Sequence, residues 1–190
     1  MDSMTSPPRE REQRFRDVYD AAYVDLLRFI RRRVHSTHAE DVVGEVMLVA
    51  WRRLDDVPGD LSAARAWLFG VARKTLQNTR RREGRTDAVA VRLAEVLRGS
   101  ANTGHHPDLV ACRVDIAAAW PLLSASNQEA IALSVLDGLT APEAAAVLGI
   151  SPTAFRLRLS RARRALRRHI DSTTAGAPLP GHPASERSPR

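Results

Sequence analysis

The sequence predicts an all-α protein: two small helical domains joined by a linker, the second carrying a helix-turn-helix. Three observations predict it. No segment alternates apolar and polar residues as a half-buried strand does, and the periodic segments repeat at steps of three and four. Charge falls in blocks: residues 1–82 carry net +4, residues 83–107 are neutral and residues 108–170 carry net +3, within a total of +7 over 190 residues. Glycine and proline then punctuate the chain between those blocks. The predicted organisation is a disordered N-terminus over 1–13, a first helical domain over 14–83, a linker over 84–107, a second helical domain over 108–170 and a disordered proline-rich tail over 171–190.

The first helix is predicted from Arg11 to Val34, with Phe15, Val18, Tyr19, Ala22, Leu26, Phe29, Ile30 and Val34 on its apolar face. Thr37 and Glu40 have the spacing of a capping box and open the second helix, which runs through Val42, Val43, Val46, Val49, Ala50 and Leu54 and stops before Pro58. A third helix follows Ser62 as AARAWLFGVARKTLQNTRRR. Seven of the nine aromatics precede residue 70, which gives the first domain the larger aromatic core. In the linker, Gly84, Gly99, Gly104 and Pro107 interrupt the chain around a short helical segment, Ala88 to Arg98. Ser126 with Glu129 and Thr140 with Glu143 have the spacing of two more capping boxes. The first opens a helix ending near Gly138, the second a helix from Pro142 to Leu148. Ser151 caps the last helix, with Pro152 in its first turn.

Composition narrows the function classes. Of 29 basic residues only Lys74 is lysine, and a basic excess of this kind points to a polyanionic partner, nucleic acid or an anionic membrane. No stretch approaches the roughly 20 apolar residues of a membrane span. The N-terminus MDSMTSPPRERE lacks an apolar signal core, so the expected location is the cytoplasm. Cys112 is the only cysteine, which excludes an intrachain disulfide and a cysteine-cluster metal site. Its expected state is a buried, inert thiol.

The segment LTAPEAAAVLGISPTAFRLRLSRARRALRRHI carries the sharpest signal. Gly149 can take the positive φ of a tight inter-helix turn, and Ala144 and Ala145 are small enough for close helix crossing. The helix that follows places Phe155, Leu159, Ala162 and Leu166 on one stripe and seven arginines around the rest, with no acid between Pro152 and Ile170. In a helix-turn-helix the N-terminal part of the second helix meets base edges in the major groove. Thr153, Arg156, Leu157, Ser160 and Arg161 are the candidates for that face. Arginine can bond guanine twice and leucine can pack on a thymine methyl. Arg163, Arg164, Arg167 and Arg168 suit phosphates, which position without reading sequence. The plainer reading of the same residues is a solvated basic face.

In the first domain, THAEDVVGEVMLVAWRRL followed by AWLFGVARKTLQNTRRR resembles the extracytoplasmic-function (ECF) group of bacterial sigma factors, in the sigma-70 family. With the helix-turn-helix the resemblance covers roughly residues 14–83 and 116–170. It implies a region 2-like domain that binds core RNA polymerase and recognises and melts the downstream promoter element, and a region 4-like domain that recognises the upstream element, including Arg158. On the second helix Ala39, Glu40, Asp41, Glu45, Trp51 and Arg52 match the family pattern, and Gly44 stands where glutamine is usual. The resemblance makes Asp41, Glu45, Leu48, Trp51 and Arg52 the polymerase-binding set. Physically, Asp41, Glu45 and Leu48 share one helix face, and the alternative for the acids is a solvated face over the core. On the third helix Trp67, Leu68, Ala72 and Arg73 match, and Lys74 replaces the usual asparagine. The resemblance assigns Arg73, Lys74, Asn78, Arg81 and Arg82 to the downstream element, with the loop Asp55–Leu61 as the rim of a base pocket. Trp67 is a stacking or a core residue. In the second domain Gln128, Leu139, Glu143, Ala145, Leu148, Gly149, Pro152, Arg158, Leu159, Arg161, Ala162 and Arg163 match, whereas Thr153, Ala154 and Leu157 depart from the usual residues.

The resemblance implies core RNA polymerase and promoter DNA, duplex and melted single strand, as partners. It also allows an anti-sigma factor. It implies neither cofactor nor metal, and no stable membrane association. A stand-alone helix-turn-helix regulator is the alternative, but it leaves the acidic second helix and the basic third helix without a use. An enzyme is the third class. His35 and His38 are separated by a helix break, His105-His106 falls in the linker, and neither a phosphate-cradling glycine loop nor G-x-S-x-G occurs.

Overall fold

The computed structural model describes residues 8–34, 36–82 and 107–175. Among the described residues every regular element is helical. Helix α1 spans Pro8–Arg31, α2 Ala39–Arg52 and α3 Leu61–Arg82. They are followed by α4 Pro107–Ala119, α5 Ala125–Ile131, α6 Ala141–Leu148 and α7 Pro152–Ala175. The linker helix predicted at Ala88–Arg98 lies outside the described residues.

Helix α1 begins earlier than its apolar pattern, so residues 8–13, expected to be disordered, are helical from Pro8 onward. Polar contacts account for the extension. Arg11 Nη2 donates to the Trp51 carbonyl at 2.8 Å while Nη1 meets Asp55 at 3.2 Å, and Arg14 donates to the Val57 carbonyl at 2.5 Å. These bonds tie α1 to the turn that ends α2. The last helix likewise runs on to Ala175, past the predicted start of the tail.

Two of the three capping boxes do not form. A 3₁₀ turn, Ser36–His38, precedes α2, so its N-cap is His38 with no side-chain bond, and Glu40 instead pairs with Arg31 at 3.3 Å. In α5 the cap is Ser124, whose side chain accepts from Asn127 N–H; Ser126 lies inside the helix and Glu129 turns into the interior. Thr140 and Glu143 do form the reciprocal box of α6. Asp60, not anticipated as a cap, accepts from Ala63 N–H at 2.8 Å and starts α3.

Helices α1, α2 and α3 pack on one another around Leu26, Phe29, Ile30, Val46, Leu68 and Phe69, with the Phe29 and Phe69 rings stacked 4.5 Å apart. In the second domain α7 packs on α4, α5 and α6 through Phe155, Ala162 and Ala165. Buried Gln128 joins two turns by donating to the carbonyls of Trp120 and Leu123. Cys112 is exposed on α4 and free, contrary to the expected buried thiol. Partly buried Ile116 and buried Ala119 carry the inward side of that helix, and Cys112 falls outside it.

The two domains share one continuous core. Helix α3 lies along α6, and a Cβ on Gly70 would sit 3.9 Å from the Val147 backbone. Helix α5 continues as a π turn, Ala132–Leu136, and Gly138 (φ 65°) then redirects the chain into α6. That wider turn aims Asp137 at the first domain.

Candidate nucleic-acid interface

Three surfaces carry the residues singled out from the sequence. The first is on α2. Asp41, Glu45, Leu48 and Arg52 recur at helical spacing, and all are exposed, as is Trp51. Leu48 is 48% exposed, a large apolar side chain left facing solvent between charges. Trp51 has a mixed role: one edge faces out, while its ring meets Phe15 in a T-shaped pair at 5.3 Å and lies under the Arg11 guanidinium.

The second surface is on α3. Lys74, Asn78 and Arg81 are exposed at i, i+4 and i+7 and form one polar face. Arg82 is the final residue of this helix. Arg73 does not belong to that free face. Its Nε and Nη2 donate to the two oxygens of Glu129 at 2.7 and 3.2 Å, a bidentate pair with the second domain. Beside it a cleft of about 750 Å³ runs between α3 and α6, lined by Trp67, Gly70, Val71, Lys74, Asn78, Ala146 and Leu148. Pro58, from the loop predicted as a pocket rim, lies at its edge. Trp67 is half-buried, with the Arg53 guanidinium 5.9 Å from its ring.

The third surface is α7. Gly149 adopts φ 68°, and the Gly149 and Ile150 amides donate back to Ala146 and Ala145. This pair of bonds closes α6 as a Schellman turn. Ser151 Oγ accepts from Ala154 N–H and caps α7. The apolar stripe faces inward as its spacing predicts: Phe155 and Ala162 are buried, Leu159 and Leu166 partly so. Thr153, Arg156, Leu157, Ser160, Arg161, Arg163, Arg164, Arg167 and Arg168 are exposed, and Arg158 is half-buried. Leu157, 52% exposed among arginines, has no core to fill. None of these arginine side chains is ion-paired among the described residues, in contrast to Arg73.

Sequence reasoning missed the charges that join the domains. Arg32 and Arg33, just past α1, and Arg65 of α3 converge on Asp137. Arg33 Nη2 is 3.0 Å from Asp137 Oδ2, Arg32 bonds Oδ1, and Arg65 Nη2 donates to the Asp137 carbonyl at 2.6 Å. Burial pushes the Arg33 guanidinium below its ordinary value, against the attraction of Asp137. Ser62 bonds Glu143 across the same junction. Partial burial raises the Glu143 carboxyl, but hydrogen bonds from Ser62 and from the Thr140 hydroxyl and amide outweigh it and hold the group below its usual value. Such pairs are remote in sequence and leave no local pattern; the Arg31-Arg32-Arg33 run at a helix end was the one hint.

Among the described residues no group of three or more His, Cys, Asp or Glu is placed to hold a metal ion, and no helix is long and apolar enough to cross a membrane.

Comparison with known proteins matches both domains. Residues 18–86 match the Sigma-70 region 2 family and residues 113–166 the Sigma-70 region 4 family. The chain is 33% identical over 147 residues to the RNA polymerase sigma factor CnrH of Cupriavidus metallidurans, covering 73% of this chain and 76% of that one. It is 33% identical over 160 residues to the ECF RNA polymerase sigma factor SigL of Mycobacterium tuberculosis, covering 80% and 86%. Among solved structures it resembles CnrH in complex with the cytosolic domain of CnrY (TM-score 0.57, 27% identity, 85% of this chain and 90% of that one). It also resembles the sigma factor RpoE in complex with the anti-sigma factor NepR from Bartonella quintana (TM-score 0.54, 25% identity, 86% and 98%).

Proposed function

Because the chain belongs to the sigma-70 family of RNA polymerase sigma factors, in its ECF group, we propose that its three surfaces divide the work of promoter recognition. The protein is a sigma factor that directs transcription initiation with core RNA polymerase at promoter DNA, not a stand-alone regulator. In our reading the exposed Asp41, Glu45, Leu48, Trp51 and Arg52 dock on core polymerase, an apolar centre rimmed by charge. The exposed α3 face of Lys74, Asn78 and Arg81, with Arg82 at the helix end and Arg73 beside it once released from Glu129, receives the downstream element and holds its melted strand in a basic groove. The α7 face reads the upstream element as duplex through Thr153, Arg156, Leu157, Arg158, Ser160 and Arg161, while Arg163, Arg164 and Arg167 grip phosphates.

The protein acts without catalysing a reaction, in the cytoplasm where polymerase and promoter are. Two modest DNA contacts on one polymerase-bound chain strengthen each other through effective concentration. One of the similar structures is a complex with the cytosolic domain of CnrY and another a complex with the anti-sigma factor NepR, and an anti-sigma factor is a fitting partner for this chain too.

One observation carries the assignment of α7: a capped helix whose apolar stripe packs inward while its exposed arginines carry no ion pair among the described residues. The test is run-off transcription with purified core polymerase on fragments of the source genome. Promoter-specific product that disappears with Arg156→Ala and Arg161→Ala together supports the assignment; no product with the unaltered protein sinks it.

A further inference from the structure

The turn between α2 and α3, residues 53–60, contains a peptide with a single polar handle. Val57 is buried and extended (φ −71°, ψ 126°), the conformation a following proline favours. Pro58 has no amide hydrogen, so its link to Val57 can be held only through the Val57 carbonyl. Arg14 of α1, 43 residues away in sequence, donates to that carbonyl at 2.5 Å. Arg11, nearly one turn earlier, fastens the entry to the same turn through the Trp51 carbonyl and Asp55. Phe15, packed on the Trp51 ring, sets the register of both arginines. Within the turn the Asp56 and Val57 amides donate back to Arg53 and Leu54, and Asp60 starts α3. Pro58 and Gly59 lie between these two held ends, and Pro58 lines the cleft that Lys74 and Asn78 also line.

We propose that Arg14, supported by Arg11, is a positioning residue for promoter opening: it fixes the Val57–Pro58 peptide and so presets the rim against which the melted strand is held beside Lys74 and Asn78. The inference rests on the assignment of α3 and this turn to the downstream element. An unstacked strand is best held by a wall already in place, because ordering a loose turn as the strand arrives costs conformational entropy for every residue fixed. The same arginines give the early start of α1 a task, since the turns that precede its apolar pattern carry Arg11 and Arg14. Arg11 and Arg53 also pair with Asp55 and Asp56, which lessens the repulsion of a phosphate strand by an acidic turn.

The test uses the full chain assembled with core RNA polymerase, on a genomic fragment that the unaltered protein transcribes. Promoter occupancy is read by gel shift, and strand opening by permanganate reactivity of thymines in the same samples. Arg14→Met keeps most of the apolar stem and removes the donors. It should lower opening per occupied promoter by at least about tenfold, the scale of one hydrogen bond from a charged group. Arg16→Ala, at an exposed position of the same helix, should change neither readout. A spin label on Gly59→Cys in a Cys112→Ser background reports on the turn itself, since a Cβ at Gly59 meets nothing within 4 Å. The label should move faster in Arg14→Met. Unchanged opening per occupied promoter overturns the proposal, and so does a loss of opening with no change in the label's motion. Lys74→Ala combined with Asn78→Ala separates the proposal from its premise. If that pair lowers opening while Arg14→Met does not, the positioning role falls and the α3 assignment stands. If neither lowers it, the assignment itself falls.

Discussion

The carboxylate of Asp137 lies 3.0 Å from the guanidinium of Arg33, and both side chains are fully enclosed where the two domains meet. Arg33 also lies over the Phe29 ring, its guanidinium carbon 3.5 Å from the ring centre. A charge so placed depends on its partner. Asp137→Ala should cost about 3–5 kcal/mol, the typical result of stranding a buried ion, although replacing both partners with apolar residues costs far less. Urea unfolding of Asp137→Ala, and of Asp137→Leu combined with Arg33→Met, checks this. The double variant should recover much of the loss.

Gly44 stands in the middle of α2 on its solvent side, and a Cβ there would meet nothing within 4 Å. Its backbone is ordinary helix, so glycine brings only its conformational entropy. Gly44→Ala should stabilise the protein by about 1 kcal/mol. A higher urea midpoint with an unchanged slope is the expected outcome.

Glu143 links pH to the junction. Its folded pKa lies below the ordinary 4.5, so the ionised form is the one that folding favours. The stability it contributes is fully present above about pH 4.5 and is lost as pH falls from there through the lower folded value. Glu143→Gln should flatten this acid limb, while the curve above pH 6 keeps its shape. Thermal unfolding from pH 3 to 7 measures it.

What was legible in the sequence was local. The α7 stripe, the Ser151 cap and the left-handed Gly149 each depend on residues within one or two turns, and each is present as read. The Thr37 and Ser126 boxes failed for a reason equally local in kind. The chain made a 3₁₀ turn before α2, and α5 began two residues earlier than a cap at Ser126 allows. Glu129 then pointed inward to Arg73, 56 residues away. Cys112 was misplaced because α4 is apolar nearly all round, so its sequence does not say which side is buried. The exposed faces of α2, α3 and α7 followed from periodicity; the sequestering of Arg73 did not, since it depends on how the domains meet.

On α7 the two classes of arginine should separate by salt and by sequence. Arg163→Ala or Arg167→Ala should weaken DNA binding about equally on all sequences and reduce the log–log salt slope by about 1 each. Arg156→Ala should instead relax preference at one base pair, by about 1–3 kcal/mol. Titrations of promoter and scrambled duplexes at several salt concentrations distinguish them.

Leu48 gives the sharpest test of the α2 surface because its packing and its proposed docking role separate. It is 48% exposed and outside the core, so Leu48→Glu should change stability by no more than about 0.5 kcal/mol. An apolar centre within a charged rim contributes disproportionately to a protein interface, and placing a carboxylate there should weaken core polymerase binding at least about tenfold. Trp51 cannot serve as cleanly, because its ring also packs on Phe15 and under Arg11. Trp51→Ala should therefore lose both stability and affinity. If Leu48→Glu binds polymerase as tightly as the unaltered chain, the docking surface lies elsewhere on the first domain and Asp41 and Glu45 are solvating charges.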